Sequence, residues 1–268
     1  MGWFEWAPLW AIWPVLSAAF LMLIALGYFA RRFVQRKEGQ AEPSDGVGLL
    51  LSAALALLGL LIAFTFSMAS ARFDARRQAV LQEANAVGTT YLRFQLPDEP
   101  FRRLLSIDLL AYLDARSAFF AAGENPDAVD RADALTGQVE TRIWTTLTGW
   151  IRARPGHTSN ASLLQATNDM FDLAVSDRAA REARVPLTII RAIVIYSAIA
   201  AFLLGQSLAF VKKPHPFASA TVFILVALSI ALILDLDRAA SGTITVSKVP
   251  FDRAVVAIRA MEAARSVD

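Results

Sequence analysis

The 268-residue sequence contains no cysteine and only two histidines, His157 and His215. The lack of cysteine excludes disulfides, iron–sulfur clusters, cysteine-ligated zinc and thiol nucleophiles. The motifs GxxxxGK[ST], GxGxxG, HExxH and GxSxG, which mark nucleotide sites, metalloproteases and serine hydrolases, are absent as well. We therefore expect the chain not to be an enzyme and to hold no catalytic residue, cofactor or metal ion.

Charged residues are also scarce, at 19% of the chain against 56% hydrophobic residues, whereas soluble domains carry about 25% charged residues. Four runs of 20 to 26 residues contain no Asp, Glu, Lys or Arg: Trp6–Ala30, Gly46–Ala71, Ala192–Val211 and Pro214–Leu234. About 20 apolar residues suffice for a helix to cross a bilayer, so the runs predict four transmembrane helices with lipid as a partner. The basic residues form no stripe, so nucleic acid is not an expected partner.

The segment 69–185 has a different composition, with 14 Lys/Arg and 15 Asp/Glu. Its apolar residues recur at helical spacings of three, four or seven, and Pro or Gly separates the successive stretches. No helix breaker lies between the second span and this segment, so one long helix is predicted to continue out of the membrane to about Phe94. The predicted fold class is all-α: four transmembrane helices with a water-exposed helical domain inserted between helices two and three.

These patterns divide the chain into four parts. They are 1–68, with transmembrane helices one and two; 69–185, the water-exposed helical domain; 186–238, with transmembrane helices three and four; and 239–268, a C-terminal tail with an amphipathic helix. Within the inserted domain, Asn125 and Pro126 have the chemistry of a helix N-cap and first helical residue. They predict a helix that starts there and runs to about Arg154.

Basic residues predict the orientation. Four of them (Arg31, Arg32, Arg36 and Lys37) open the short loop 31–46, and Lys212 and Lys213 lie in the other short loop. The positive-inside rule places such short loops in the cytoplasm. Six arginines flank the helical domain and oppose this assignment, but long loops obey the rule less strictly. The termini and the helical domain are therefore predicted to be extracytoplasmic.

Two stretches carry a family resemblance. The stretch Arg76–Arg93 follows a span that ends in Phe64-Thr65-Phe66-Ser67, and Asp235-Leu236-Asp237-Arg238 precedes Gly242–Ser247. Over residues 47–255 the chain resembles the uncharacterised bacterial membrane proteins called bestrophin-like. The resemblance implies a multi-pass protein of the bacterial inner membrane, kinship with the pentameric bestrophin anion channels, and hence a homo-oligomer. It also implies a cytosolic helical domain, opposite to the charge count.

Three charged residues of the long helix, Arg72, Arg76 and Glu83, lie on one stripe, since steps of four and seven return to nearly the same helical angle. Two interpretations are open. The stripe forms a charged ring at the pore mouth of an oligomer, or it belongs to an ion-pair network between helices of one chain. Asn85, on the same helix, is a candidate for lining a ligand pocket.

A second group of charges lies at the ends of spans three and four. Arg191 follows the start of span three by a few residues, and Asp235, Asp237 and Arg238 end span four. A charge at membrane depth is a functional candidate, but an arginine near a span end can also reach the headgroups. We expect either a pairing of Arg191 with Asp235 or Asp237, snorkelling to the headgroups, or a transport path.

Glycines in the predicted helices indicate close packing. Gly59 lies in span two, Gly88 in the long helix and Gly205 in span three. Small residues let helix backbones approach each other, either within one chain or between subunits.

Two functions of different classes fit these observations. One is an oligomeric ion channel. The other is a non-conducting membrane scaffold or sensor, whose helical domain binds a protein partner through residues 101–175.

Overall fold

The computed structural model of the chain describes residues 9–38, 45–211, 214–238 and 240–265. Regular structure within these ranges is helical, with no strand. The helices are α1 (Leu9–Glu38), α2 (Asp45–Arg93), α3 (Phe101–Ala121), α4 (Pro126–Ala153), α5 (Asn160–Glu182), α6 (Leu187–Leu208), α7 (Pro216–Asp237) and α8 (Val249–Arg265). The predicted all-α class is confirmed.

Four helical segments are long and apolar enough to cross a membrane, as predicted. They are Trp10–Lys37, Gly48–Arg93, Asn160–Leu208 and Pro216–Asp237. The third joins α5 and α6, and its uncharged stretch lies in α6. We therefore assign the membrane-crossing parts to α1, the first half of α2, α6 and α7.

The boundaries of two predicted elements need correction. The loop expected from Arg31 onward is helical up to Glu38, because the end of an apolar run marks the end of the hydrocarbon layer and not the end of a helix. Asp45 already belongs to α2. Lys212 and Lys213, on which the predicted orientation depends, lie outside the described residues.

The helix ends follow local chemistry. The side chain of Asn125 accepts a hydrogen bond from the Ala128 backbone N–H at 3.2 Å, which confirms the predicted cap, and Pro126 is the first residue of α4. Gly123 adopts a left-handed φ of 60° in the turn after α3. Pro186 precedes α6, where its missing N–H needs no helical partner.

The chain forms two compact units. The first unit comprises Met1–Ala71, Arg184–Arg238 and Gly242–Ile244; the second unit comprises Arg72–Ala183, Ala239–Ser241 and Thr245–Asp268.

In the first unit, α1 packs along both α6 and α7. Ile12, Leu16 and Phe20 recur every four residues on the buried face of α1, and the Phe20 ring meets the Phe223 ring edge-on at 5.7 Å. The membrane-crossing part of α2 buries only a narrow stripe of residues at heptad spacing, which contains Leu51, Leu58 and Thr65. Most of its apolar surface is uncovered within one chain.

The two helices α1 and α6 are in backbone contact where they cross. A Cβ atom added at Gly205 would lie 2.0 Å from the Ile24 carbonyl oxygen, and one added at Gly27 would lie 2.3 Å from the Phe202 carbonyl oxygen. Gly205 therefore confirms the prediction of close packing within the chain. Gly59 and Gly88 have no atom within 4 Å of such a Cβ, so neither makes the predicted close contact within the described chain.

The second unit is a helical bundle built around the pair α3 and α4, with α5 against α4 and α8 against α3. Its core continues the apolar faces of these helices. Its large aromatic side chains include Trp150, Tyr112, Phe94 and Phe251, all completely buried. The amphipathic helix predicted in the tail is α8, which contributes Phe251, Val255 and Ile258 to this core.

Candidate functional site

A buried cluster of charges lies in the second unit, where α2, α3 and α5 contribute one residue each. Arg116 donates from Nε to Glu83 Oε1 at 2.6 Å and from Nη2 to Glu83 Oε2 at 2.8 Å. The same Nη2 reaches Asp177 Oδ2 at 3.2 Å. All three side chains are at most 1% exposed. We call Glu83, Arg116 and Asp177 the charge triad.

The triad is tightly coupled electrostatically. Burial alone lowers the pKa of Arg116, but its hydrogen bonds to Glu83 and the attraction of that carboxylate raise the pKa above the ordinary arginine value, so the guanidinium stays charged. Burial, followed by repulsion from Glu83, raises the pKa of Asp177 to about 6 against the pull of Arg116. The guanidinium also lies over the Phe119 ring, 4.1 Å from its centroid.

The structure therefore places the predicted residue Glu83 inside one chain, in an ion-pair network. Arg116 and Asp177, which complete that network, were not among the predicted site residues. A signal for them is present in the sequence, because each interrupts an apolar stripe of its helix. Arg116 continues the spacing of Leu105, Leu109 and Tyr112 in α3.

Arg76 is 1% exposed and lies against the end of α5. Its Nε donates to the Ala180 carbonyl at 3.1 Å and its Nη2 to the Ala183 carbonyl at 2.6 Å. The last carbonyls of a helix lack intrahelical partners and carry partial negative charge, so a cation is favourable there. Arg76 thus fixes α2 to the C-terminal end of α5.

The other two predicted residues of α2 are placed differently. Arg72 is half-buried, and its Nε has no hydrogen-bond partner among the described residues. Asn85 is exposed and lines an open groove of about 470 Å³ between α2 and α5. Arg93 lies at the same groove and donates to the Ser162 carbonyl at 2.7 Å. The structure does not bring Asn85 together with the charge triad.

A further cavity of about 500 Å³ in the second unit is lined by polar and charged residues. Arg76, Asp177 and Arg181 form one wall, and the segment Thr245–Val249 before α8 forms another. Arg181 donates to the Phe119 carbonyl at 3.1 Å. No group of three or more His, Asp or Glu in the described part of the chain is arranged to hold a metal ion.

The charges at the ends of spans three and four are not assembled as expected. Asp235 accepts hydrogen bonds from the backbone N–H of Thr243 at 2.9 Å and from its hydroxyl. Asp237 accepts from the Val185 backbone N–H at 2.7 Å. Arg191 is exposed and forms no ion pair with a described residue, so of the three expectations for Arg191 the pairing with either aspartate is not seen.

The reason is geometric, since membrane depth alone does not fix the direction in which a helical side chain points. The two aspartates instead bind backbone N–H groups of nearby segments that have no helical partner. Arg238, half-buried, follows the last turn of α7, and its N–H donates to the Asp235 carbonyl at 3.3 Å.

Comparison with known proteins identifies the family to which the chain belongs. A model of the bestrophin-like domain matches residues 17–251. The solved structure of a bacterial bestrophin homologue from Klebsiella pneumoniae, in a variant with one tryptophan replaced by alanine, is 11% identical with a TM-score of 0.68, covering 94% of this chain and 96% of that chain.

Two further structures of that homologue also have a fold similar to that of this chain. A variant with one tyrosine replaced by alanine is 13% identical with a TM-score of 0.64, covering 91% and 95% of the two chains. The structure phased from zinc is 14% identical with a TM-score of 0.61, covering 91% and 94%. At these identities the likeness concerns the fold. No curated protein matches the chain.

Proposed function

The chain belongs to the bestrophin-like family, and from this premise we propose that it is a multi-pass protein of the bacterial inner membrane that assembles into an oligomeric ion channel. The observation that carries the proposal is the fold, which matches a bacterial bestrophin homologue over 94% of this chain. Family membership makes an enzyme a poor candidate.

The surface of α2 supports assembly around an axis. Only 17% of the most apolar 18-residue stretch of α2 is buried within one chain, whereas 28% to 33% of the corresponding stretches of the other three candidate spans is buried. Leu50, Leu57 and Phe64 recur every seven residues on the uncovered surface, each more than half exposed. In a ring of identical subunits, one such helix from each subunit can line a central path.

The proposed arrangement keeps the four parts of the chain as predicted: 1–68 and 186–238 in the membrane, 69–185 in water, and the tail 239–268 on the same side as that domain. The charge content of 69–185 and the separate core of the second unit support it. Within this arrangement Arg76 and Glu83 hold α2 in place, while Asn85 is the α2 candidate most open to water.

A cysteine experiment tests conduction, since the native chain has no cysteine. Leu57→Cys and Phe64→Cys are introduced on the uncovered surface of α2, and Leu225→Cys, 55% exposed on α7, is the matched control. In planar bilayers the purified protein should pass current. A charged methanethiosulfonate reagent should reduce the current of at least one α2 variant and leave that of the control unchanged.

Oligomeric state is the second measurement. Native mass spectrometry should give a closed oligomer and no monomer. A monomer, together with bilayers that stay silent, would contradict the channel. Crosslinking through residues 101–175 to one dominant protein would then favour the non-conducting scaffold or sensor.

A further inference from the structure

An apolar groove of about 380 Å³ lies in the first unit, among α1, α6 and α7. Its walls include Leu21, Ala25 and Tyr28 of α1, Leu208 at the end of α6, and Pro216 and Ala220 of α7. The groove is therefore at the end of α1 where the uncharged run of that helix stops and the first charges begin.

Two walls of this groove are held by backbone contact. Gly27 and Gly205, where α1 and α6 touch, lie one and three residues before the groove residues Tyr28 and Leu208. Neither helix can move closer to the other at these two positions, because the backbones already touch. The crossing therefore sets the distance between these two walls.

Two arginines lie beside the groove, each placed by an aromatic ring. Arg32 donates from Nε to the Tyr28 hydroxyl at 3.3 Å, and its guanidinium lies 5.7 Å from that ring centroid. The guanidinium of Arg31 lies 4.6 Å from the centroid of Phe210. The Arg31 Nε is buried and has no hydrogen-bond partner among the described residues.

The stretches of these helices that line the groove carry no carboxylate, and the nearest one in α1 is Glu38 at its last residue. Residues 9–37 and 187–234 contain no Asp or Glu. In the part of the chain that the structure describes, the contacts of Arg31 and Arg32 are with Phe210 and Tyr28, and neither arginine forms an ion pair. Two uncompensated cations at the end of an apolar span are at headgroup depth, where aromatic and arginine side chains collect.

We propose that this groove and the two arginines form a binding site for an anionic phospholipid. One acyl chain fills the groove, and the phosphate accepts hydrogen bonds from Arg31 and Arg32. Guanidinium groups bind phosphate oxygens with charge-assisted, directional hydrogen bonds. The groove has apolar walls and takes hydrocarbon, while the arginines select the headgroup charge. The inference goes beyond conduction and holds whether or not the protein passes ions.

Lipid retention tests the site. The protein is purified in detergent with equal amounts of phosphatidylglycerol and phosphatidylcholine, and the lipid that remains bound is counted by native mass spectrometry. The wild type should retain phosphatidylglycerol in preference to phosphatidylcholine. The variants Arg31→Gln and Arg32→Gln should each lower that preference about fivefold, which is the effect expected from the loss of about one surface charge. Arg36→Gln, an exposed arginine further along α1, is the matched control and should retain the wild-type preference.

The groove is tested separately from the charges. Ala220→Phe fills the groove with both arginines present and should reduce retention of both lipids, whereas Ala218→Phe, at an exposed position two residues earlier in α7, should not. Equal retention of the two lipids by the wild type, or an unchanged preference in the double arginine variant, would overturn the proposal. Displacement of the bound lipid by inorganic phosphate would overturn it too, because it would mark a site for free anions. If Ala220→Phe does not fold, the arginine variants decide.

Discussion

At the scale of single residues, the second unit is organised by charges at positions where its helices otherwise present apolar side chains. Glu83 lies in the stripe of Val80, Val87 and Phe94 on α2, and Asp177 follows Met170 and Ala174 on α5. Removing water from three charges is costly, so each must find its partner inside the bundle. The bidentate contact between Arg116 and Glu83 provides the strongest of these pairings.

Loss of Arg116 should therefore be severe. Arg116→Met leaves Glu83 and Asp177 buried without the guanidinium that hydrogen-bonds to both, and we expect a loss of about 3–5 kcal/mol in the free energy of unfolding. Arg142→Met removes an ion pair to Asp108 whose arginine is 55% exposed, and should cost less than about 1 kcal/mol. Calorimetric melting of both variants in detergent measures the difference. Similar melting temperatures for the two would contradict the structural role of the triad.

Glu140 gives the second unit a pH dependence. Burial raises the pKa of Glu140 to about 7 from an ordinary 4.5, with attraction by Arg116 opposing and repulsion by Asp133 adding to the rise. The folded protein thus holds a proton that the unfolded chain releases, so this carboxyl's contribution to stability is fully present below pH 4.5 and is lost as the pH rises to about 7.

The variant Glu140→Gln should remove the loss of stability that the ionisation of Glu140 causes as the pH rises. We expect its melting temperature to exceed that of the wild type at pH 8 and to approach it at pH 5. The exposed carboxylate Asp172 supplies the control, since Asp172→Asn should follow the wild type at both pH values. A Glu140→Gln difference that is the same at pH 5 and pH 8 would show that another group is responsible.

Some of these residue contacts could be predicted from the sequence. Asn125 was predictable as a cap, because capping is a contact between residues three apart. The partners of Arg116 lie 33 and 61 positions away, so only its place on an apolar stripe pointed to it. Pairing of Arg191 with Asp235 or Asp237 was one of three expectations, and the structure does not show that pairing, since the depth of Arg191 was predictable but the direction of its side chain was not.

At the scale of helices, the crossing of α1 and α6 depends on two glycines. Gly205→Ala would bring a methyl group to 2.0 Å from the Ile24 carbonyl oxygen, so the two backbones must separate. Overpacking of this kind typically costs about 1–3 kcal/mol, and we expect a lower melting temperature.

The matched control for this substitution is Gly59→Ala on α2, where the added methyl group meets no atom within 4 Å. Alanine is the better helix former, so this variant should melt at the wild-type temperature or above it. Should Gly205→Ala behave like Gly59→Ala, the close crossing does not stabilise the first unit.

Helix positions were more predictable than helix ends. Uncharged runs located the four candidate spans, because only apolar side chains dissolve in hydrocarbon. Pro126 marked the start of α4, since proline lacks the N–H that a helix interior requires. The continuation of α1 to Glu38 was missed because hydropathy records the solvent around a helix and not its hydrogen bonds.

At the scale of the whole molecule, the orientation in the membrane can be measured directly. Asp127→Cys lies in the second unit and His215→Cys between α6 and α7, and both positions are exposed. From the charge count we expect a membrane-impermeant maleimide to label Asp127→Cys in intact spheroplasts and His215→Cys only after lysis. The cysteine-free parent chain is the control for background labelling. The reverse pattern would place the second unit in the cytoplasm, as the bestrophin kinship implies.

The charge triad has a consequence for how the bundle chooses among alternative alignments. Leucine and valine contacts are largely interchangeable, so apolar stripes alone would tolerate α3 displaced along α2 by one turn, about 5.4 Å. Such a displacement would separate Arg116 from both carboxylates and leave three desolvated ions unneutralised. Misaligned packings of the same helices are therefore much less stable than the aligned one. The charge triad selects one alignment, which apolar surfaces alone do not.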